Sequence, residues 1–385
     1  MKICFVCSEY PPGPHGGIGT MTRILARYLV KAGHEVRVTG IYQPDFPAPD
    51  YEVDQGVQVW RLREPTYRLG WLVGRYQLFQ QIAGWSRAGE IEIVDVPDYA
   101  GPAAGWGRLP VPVIARHNGS GAFFAYDLGY KTGRVTFNLE KLSARRVDYW
   151  CAVSNYIADI SVKIFDLPEK ARAILFNPVE VPTDQATATE RSKHQVVFTG
   201  TLTQKKGVVS LIKAWQQVLD RCPEARLDLF GKDGPTEEHG DSMIAYLQSL
   251  LSDEAKQTVQ FRGHVPRETL FEALQTARIG VFPSYAESYG IAPFEAMTNG
   301  APTIYTRLGP GPELLNHEEE VLLIDPNHPN EIAEAIIRLL EDDALAARLS
   351  QLGPQLVKER FSIDAILPQN EAFYQGCIEA FKQTR

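Results

Sequence analysis

The stretch Ile279-Gly-Val-Phe-Pro-Ser-Tyr-Ala-Glu-Ser-Tyr-Gly-Ile-Ala-Pro-Phe-Glu-Ala-Met-Thr-Asn-Gly300 passes from strand through loop to helix, and its reading decides the fold. Ile279–Pro283 is a short apolar run of the kind that forms a buried strand. Pro293 suits the first turn of a helix, where its missing N–H has no partner to lose. Asn299-Gly300 supplies a C-cap. A helix that begins near Ile291 leaves the N–H groups of Tyr289, Gly290 and Ile291 pointing into the loop, and unpaired donors plus the helix dipole favour an anion such as phosphate there. Gly290 lets a ligand approach, and Ser288 completes the loop. Glu287 falls in the loop and Glu295 within the first helical turn. Carboxylates repel phosphate but accept hydrogen bonds from hydroxyls, so the pair points to a ribose or sugar beside a diphosphate. The plain alternative is a solvated helix start with one acid at its positive end.

The same strand–loop–helix unit recurs in both directions. Ile3–Cys7, Glu35–Thr39, Ile91–Val96, Val111–Arg116, Tyr149–Val153 and Ile174–Phe176 read as strands before it, with helical patterns between. Val196–Phe198, Arg226–Phe230, Val259–Arg262, Ile279–Phe282, Thr303–Tyr305 and Val321–Ile324 continue the series. Such alternation predicts an α/β fold with parallel sheets covered on both faces and ligands beyond the carboxyl ends of the strands. The polar, Pro-bearing segment Asn177–His194 interrupts it, so the expected organisation is two Rossmann-like, doubly wound domains facing a cleft: 1–177 and 178–363. A long amphipathic helix from Ile363 to Lys382 is expected to return to the first domain, over about 364–385.

With 385 residues, 44% of them hydrophobic, the chain is long enough for two cores. A formal net charge of −8 argues against nonspecific nucleic-acid binding as the main activity. No run approaches the roughly 18 apolar residues of a membrane-spanning helix, so the expected compartment is the cytosol. The five cysteines are odd in number and scattered and make no disulfide framework, while the C-x-x-C pair Cys4 and Cys7 reads as core thiols rather than a zinc site. Thr66–Arg87 carries Tyr67, Trp71, Leu72, Tyr76, Phe79 and Trp85 among arginines. It reads as a core-packing helix with solvated arginines, the alternative being an interfacial helix that makes peripheral membrane contact at the inner face of the membrane. The basic segment with Lys131, Arg134, Lys141, Arg145 and Arg146 is either a solvated helix face or a surface for an anionic acceptor or lipid head group.

Further candidates sit at strand ends. Gly16-Gly17 follows the first strand and lets a phosphate or sugar approach its backbone, although such turns are common. His117 ends the strand Val111–Arg116 and is a candidate acid, base or polar binder. In the second half, Gly200-Thr-Leu-Thr-Gln-Lys-Lys-Gly207 precedes the helix Val208–Leu219, which sets Lys205 and Lys206 where a cation meets a diphosphate. Gly231 ends one later strand, while His264 and Val265 end the next, and the backbone there suits a nucleobase.

In order and spacing, the Gly16-Gly17 loop, the Gly-x-Leu-x-x-x-Lys-Gly run ending at Lys206-Gly207, and Glu287-x7-Glu295 followed by Ala296-Met297 resemble the retaining glycosyltransferases of the GT-B fold, family 4 (glycosyl transferases group 1). The resemblance covers nearly the whole chain. It implies a nucleotide-sugar donor, UDP- or GDP-linked, held by the C-terminal domain, a saccharide or lipid-linked acceptor held by the N-terminal domain, and catalysis with no metal and no cofactor. Lys206 would neutralise the diphosphate, Glu295 hold the ribose hydroxyls and Glu287 contact the transferred sugar, with His117 near the reacting carbon. Thr201 departs from the pattern, since the family usually has Arg there, and Lys205 is the expected compensation. The implied activity is hexosyl transfer in polysaccharide or glycolipid synthesis. The alternatives are a nucleotide-sugar epimerase or hydrolase on the same fold, and a non-catalytic sugar-nucleotide-binding scaffold.

Overall fold

The computed structural model describes residues 1–168, 172–181, 191–238 and 240–384. The chain splits into two compact units, Met1–Pro178 with Ile363–Arg385, and Val179–Ser362. Half of the expected linker segment, residues 182–190, lies outside the described residues.

In the first unit, β1 (Lys2–Val6), β2 (Glu35–Tyr42), β3 (Tyr51–Asp54), β4 (Val57–Arg63), β5 (Ile93–Pro97), β6 (Val113–His117), β7 (Tyr149–Ala152) and β8 (Arg172–Ile174) form one sheet. Its order is β3-β4-β2-β1-β5-β6-β7-β8, parallel except for the β3–β4 pair. That hairpin is absent from the sequence reading. Gln55 and Gly56 at its tip both have positive φ, 51° and 89°, so it turns on a Gln-Gly pair rather than the usual Asn-Gly. The run Ile174–Phe176 joins the sheet two residues earlier than expected, at β8.

The second unit holds β9 (Gln195–Thr199), β10 (Arg226–Phe230), β11 (Val259–Gly263), β12 (Ile279–Phe282), β13 (Thr303–Thr306) and β14 (Leu322–Ile324). Their order is β11-β10-β9-β12-β13-β14, every pair parallel. The chain runs outward from β9 to β11 and then returns to β12 on the other side of β9. The reversal sits between β9 and β12, and ligands in such sheets bind beyond the carboxyl ends of the strands at that point. Leu211, Trp215, Val218, Ile332 and Ile336 cover the strands from one side, all fully buried. Side chains of this size contribute about 1.5–3 kcal/mol each when buried.

The final helix, Ile363–Gln383, buries Ile363, Ile366, Tyr374 and Ile378 in the core of the first unit. A polar cluster fixes its register. The buried Arg116 donates through Nε (3.0 Å) and Nη2 (2.9 Å) to Asp95, while Nη2 also donates to Asn370 Oδ1 at 2.9 Å. The Tyr374 hydroxyl donates to Asp95 at 2.8 Å. Four of the five cysteines, Cys4, Cys7, Cys151 and Cys377, are buried, and all five are free thiols.

The helix Gly70–Arg87 packs through Leu78, Ile82 and Ala83. Large side chains around its first two turns point outward: Tyr67, Leu69, Trp71, Leu72 and Tyr76 are exposed. The helix Arg134–Arg146 likewise leaves Val135 and Leu142 exposed beside Arg134 and Arg145. Among the described residues, no helix is long and apolar enough to cross a membrane.

Candidate functional site

In the second unit, Gly207 caps the helix Val208–Arg221 with φ 72°. A Cβ there would meet the Pro283 carbonyl oxygen at 1.7 Å, so only glycine lets the loop after β9 lie against the loop after β12. Tyr285 N–H closes the junction by donating to the Lys205 carbonyl at 2.8 Å. Lys206, in the short turn Gln204–Lys206, thereby reaches Glu287, 2.6 Å from Nζ to Oε1. The Ser284 hydroxyl donates to the same oxygen at 2.7 Å. Burial works to raise the Glu287 carboxyl, but Lys206, Ser284 and Lys205 together overcome it and hold the carboxyl below its ordinary value. Burial pushes the Lys205 ammonium down, with the charge on Lys206 adding to the effect.

The helix after this loop begins at Ile291 and ends at Thr298. Pro293 is its third residue and Glu295 its fifth, so Glu295 starts the second turn instead of lying in the first. Gly290 precedes the helix with φ 79°, its Cβ position 2.6 Å from the Tyr305 hydroxyl and 3.6 Å from the Glu287 carboxyl carbon. That hydroxyl donates to the Tyr289 carbonyl at 3.0 Å. The Tyr289 side chain is core, stacked on Phe294, and leaves only its backbone for a ligand. Asn299 and Gly300 close the C-terminus, with Gly300 N–H donating to Met297 at 2.9 Å and Ala301 N–H to Ala296 at 3.0 Å.

Of the other residues expected here, Gly231 lies against the start of the Lys206 loop, where a Cβ would meet the Gly200 carbonyl oxygen at 1.8 Å and the Thr201 nitrogen at 3.3 Å. Thr201 is exposed, as is His264 beyond β11, while Val265 is half-buried. Glu295 does not join the Lys206–Glu287 pair. It accepts from Arg267 Nη2 at 3.0 Å, and burial raises its carboxyl although Arg267 opposes this.

In the first unit, Gly16 caps the helix Gly17–Lys31. The Glu9 carboxylate accepts Gly19 N–H at 2.7 Å and already serves this helix start. An anion is therefore disfavoured beside Gly16-Gly17 by like charge, whereas a hydroxyl is not. His117 is the last residue of β6, one position beyond the expected strand end, and its ring is wholly buried between Trp150 and Phe165. Among the described residues, neither ring nitrogen has a hydrogen-bond partner, and burial pushes the imidazole down to about 3. In this conformation the imidazole is buried and neutral, and its expected role as acid, base or polar binder stays an expectation. The loop it begins is held by two buried carboxylates. Asp98 accepts the N–H groups of Asn118 (3.0 Å) and Gly119 (3.1 Å). Glu140 accepts those of Ala100 (3.2 Å), Gly121 (3.0 Å) and Ala122 (2.9 Å).

Ser284, Tyr285, Arg267, Asp98 and Glu140 are absent from the sequence reading. Ser284 stands three residues before Glu287, a spacing that invites a local hydrogen bond. Glu140 has no comparable signal, because its partners are backbone groups on two other segments. Among the described residues, no three His, Cys, Asp or Glu side chains cluster as metal ligands.

Comparison with known proteins bears on both units. The glycosyltransferase family 4 model matches residues 15–181, and the glycosyl transferases group 1 model matches residues 193–342. An uncharacterised glycosyltransferase of Methanocaldococcus jannaschii is 26% identical, over 98% of this chain and 99% of its own length. The sucrose-phosphate synthase structure from Thermosynechococcus elongatus superposes with a TM-score of 0.80 at 20% identity, covering 98% of this chain and 99% of that one. The Anabaena HepE structure in complex with UDP and glucose gives a TM-score of 0.74 at 16% identity, covering 98% and 100%. The family models span most of the chain between them and the fold neighbours span nearly all of it, so this chain belongs to the glycosyltransferases of the GT-B fold, family 4 and group 1.

Proposed function

We propose that the protein transfers a hexosyl unit from a UDP- or GDP-linked sugar to a hydroxyl of a saccharide or lipid-linked acceptor, with retention at the anomeric carbon and without a metal or cofactor. The observation that carries this reading is the Lys206–Glu287 pair beside Gly290, where the helix start offers the N–H groups of Gly290 and Ile291. Breaking the sugar–phosphate bond builds negative charge on the leaving diphosphate. Lys206 and the helix start stabilise that charge where it develops, which lowers the barrier more than it tightens ground-state binding. Glu287 keeps Oε2 for a hydroxyl of the transferred sugar, and Glu295 accepts from the ribose. The acceptor hydroxyl attacks on the face the diphosphate leaves, and a phosphate oxygen of the donor takes its proton. HepE, with UDP and glucose bound, supports the donor class.

A lipid-linked acceptor at the inner membrane face is favoured by the exposed stretch Tyr67–Leu72, with its aromatic and leucine side chains around Arg68. One experiment tests both levels. UDP- and GDP-sugars are incubated with soluble saccharides, and separately with anionic vesicles carrying lipid-linked saccharides, while nucleotide release is followed. Release that depends on acceptor is expected, and Lys206→Ala should lower kcat on the order of 10²- to 10³-fold with little change in donor KM. Release without acceptor would indicate an epimerase or hydrolase instead, and binding without turnover a scaffold. A change confined to KM would remove Lys206 from the transition state.

A further inference from the structure

Arg267 opens the helix Arg267–Thr276, three residues past His264. Its guanidinium lies 4.6 Å from the Phe271 ring centroid and is committed to two carboxylates from distant parts of the chain. Nη2 donates to Glu295 Oε1 at 3.0 Å, and Nη1 donates to Glu180 Oε2. Glu180 follows Val179, the first residue of the second unit, whose N–H donates to the Phe361 carbonyl at 2.8 Å. The fork is thus anchored on one side to a backbone-paired segment and on the other to Glu295. Among the described residues, Glu295 Oε2 takes no hydrogen bond.

A carboxylate held by one oxygen keeps its plane and leaves the other oxygen to accept from a ligand. Glu295 is largely buried, with a side-chain exposure of 14%, and burial alone favours the protonated acid, which offers fewer acceptor sites to a diol. The neighbouring cation opposes that. We infer that Arg267 is a positioning residue that sets nucleotide specificity: by holding Glu295 through Oε1 it aims Oε2 at the 2′- and 3′-hydroxyls of a ribonucleoside diphosphate, and so discriminates ribose from deoxyribose. Glu180 supports it from behind. The inference rests on the reading of Glu295 as the ribose acceptor.

The test is calorimetric titration with UDP and GDP, each compared with its 2′,3′-dideoxy counterpart, on wild type, Arg267→Met, Arg267→Lys, Glu180→Gln and Glu295→Gln. Wild type should prefer the ribonucleotide of the base it binds by about 10- to 100-fold, the range of a hydrogen bond to a charged group. Arg267→Met should cut that preference at least about fivefold, while affinity for the dideoxy nucleotide changes less than about twofold. Arg267→Lys keeps the charge without the fork and should lose part of the preference, as should Glu180→Gln. Folded Arg267 variants that keep the full preference, or that weaken both nucleotides equally, overturn the inference. If Glu295→Gln also keeps the preference, or wild type shows none, the ribose role of Glu295 itself falls and takes the inference with it.

Discussion

His117 and Asp98 lie 3.7 Å apart, Nδ1 to Oδ2, at the carboxyl ends of neighbouring strands, and burial moves their protonation equilibria in opposite directions. Burial drives the imidazole down to about 3 and the carboxyl up to about 7, although Asn118 and Gly119 N–H groups act against the latter. The signs of their linkage to stability differ. An unfolded chain protonates His117 near 6.5 while the folded one does not, so stability is lost as pH falls from 6.5 toward 3. Asp98 binds its proton earlier in the folded state, so stability is gained as pH falls from 7 toward the ordinary Asp range. In the wild type the two effects offset. His117→Asn removes the loss and keeps the gain, and the variant should gain on the wild type by up to about 1.4 kcal/mol per pH unit between pH 6 and 4.5. Urea unfolding across that range checks it, and parallel pH profiles for the two proteins would refute a buried neutral imidazole. The sequence showed a histidine at a strand end, but its burial depends on Trp150 and Phe165, which arrive from other segments.

At the scale of an element, the helix Ile291–Thr298 shows both what a sequence discloses and what it withholds. Its start at Ile291 and its Asn-Gly end follow from local chemistry, because caps and glycines act on their own neighbours. The Lys206–Glu287 contact spans 81 residues and follows only from the neighbouring of β9 and β12. The hairpin β3–β4 was illegible for a different reason: β3 is short and half exposed, so it lacks an apolar run. Gly290 gives the helix start its test. At φ 79° a side chain is strained, and its Cβ also meets the Tyr305 hydroxyl. Gly290→Ala should cost about 1–3 kcal/mol. In a Tyr305→Phe background the hydroxyl is gone and the backbone strain remains, so part of that cost, about 1 kcal/mol, should disappear. Strict additivity of the two substitutions in thermal or urea unfolding would place the whole cost in φ and none in the contact.

For the whole molecule, the last helix makes the first unit discontinuous in sequence: the chain completes Met1–Pro178, builds Val179–Ser362, and then returns. The α/β alternation made the parallel sheets legible, since each strand and helix declares itself locally. The Arg116–Asp95–Tyr374 cluster could not be read, because its members are separated by up to 279 residues. The cluster makes the return consequential. Ending the chain after Ser362 removes Ile363, Ile366, Tyr374 and Ile378 from the core, at about 1.5–3 kcal/mol each. It also takes Asn370 and the Tyr374 hydroxyl from a buried ion pair, and an underbonded buried charge adds to the loss. The sum rivals the roughly 5–15 kcal/mol that holds a domain folded. In hydrogen exchange, the truncated chain should therefore lose protection across β1, β5 and β6 while β9, β10 and β12 keep theirs, because the core of the second unit contains no residue of the deleted helix. Tyr374→Phe in the full chain should show the same pattern in miniature, with the first unit destabilised by about 1.5–3 kcal/mol. Retained protection in β1, β5 and β6 after truncation would show that the first unit closes its core without the returning helix.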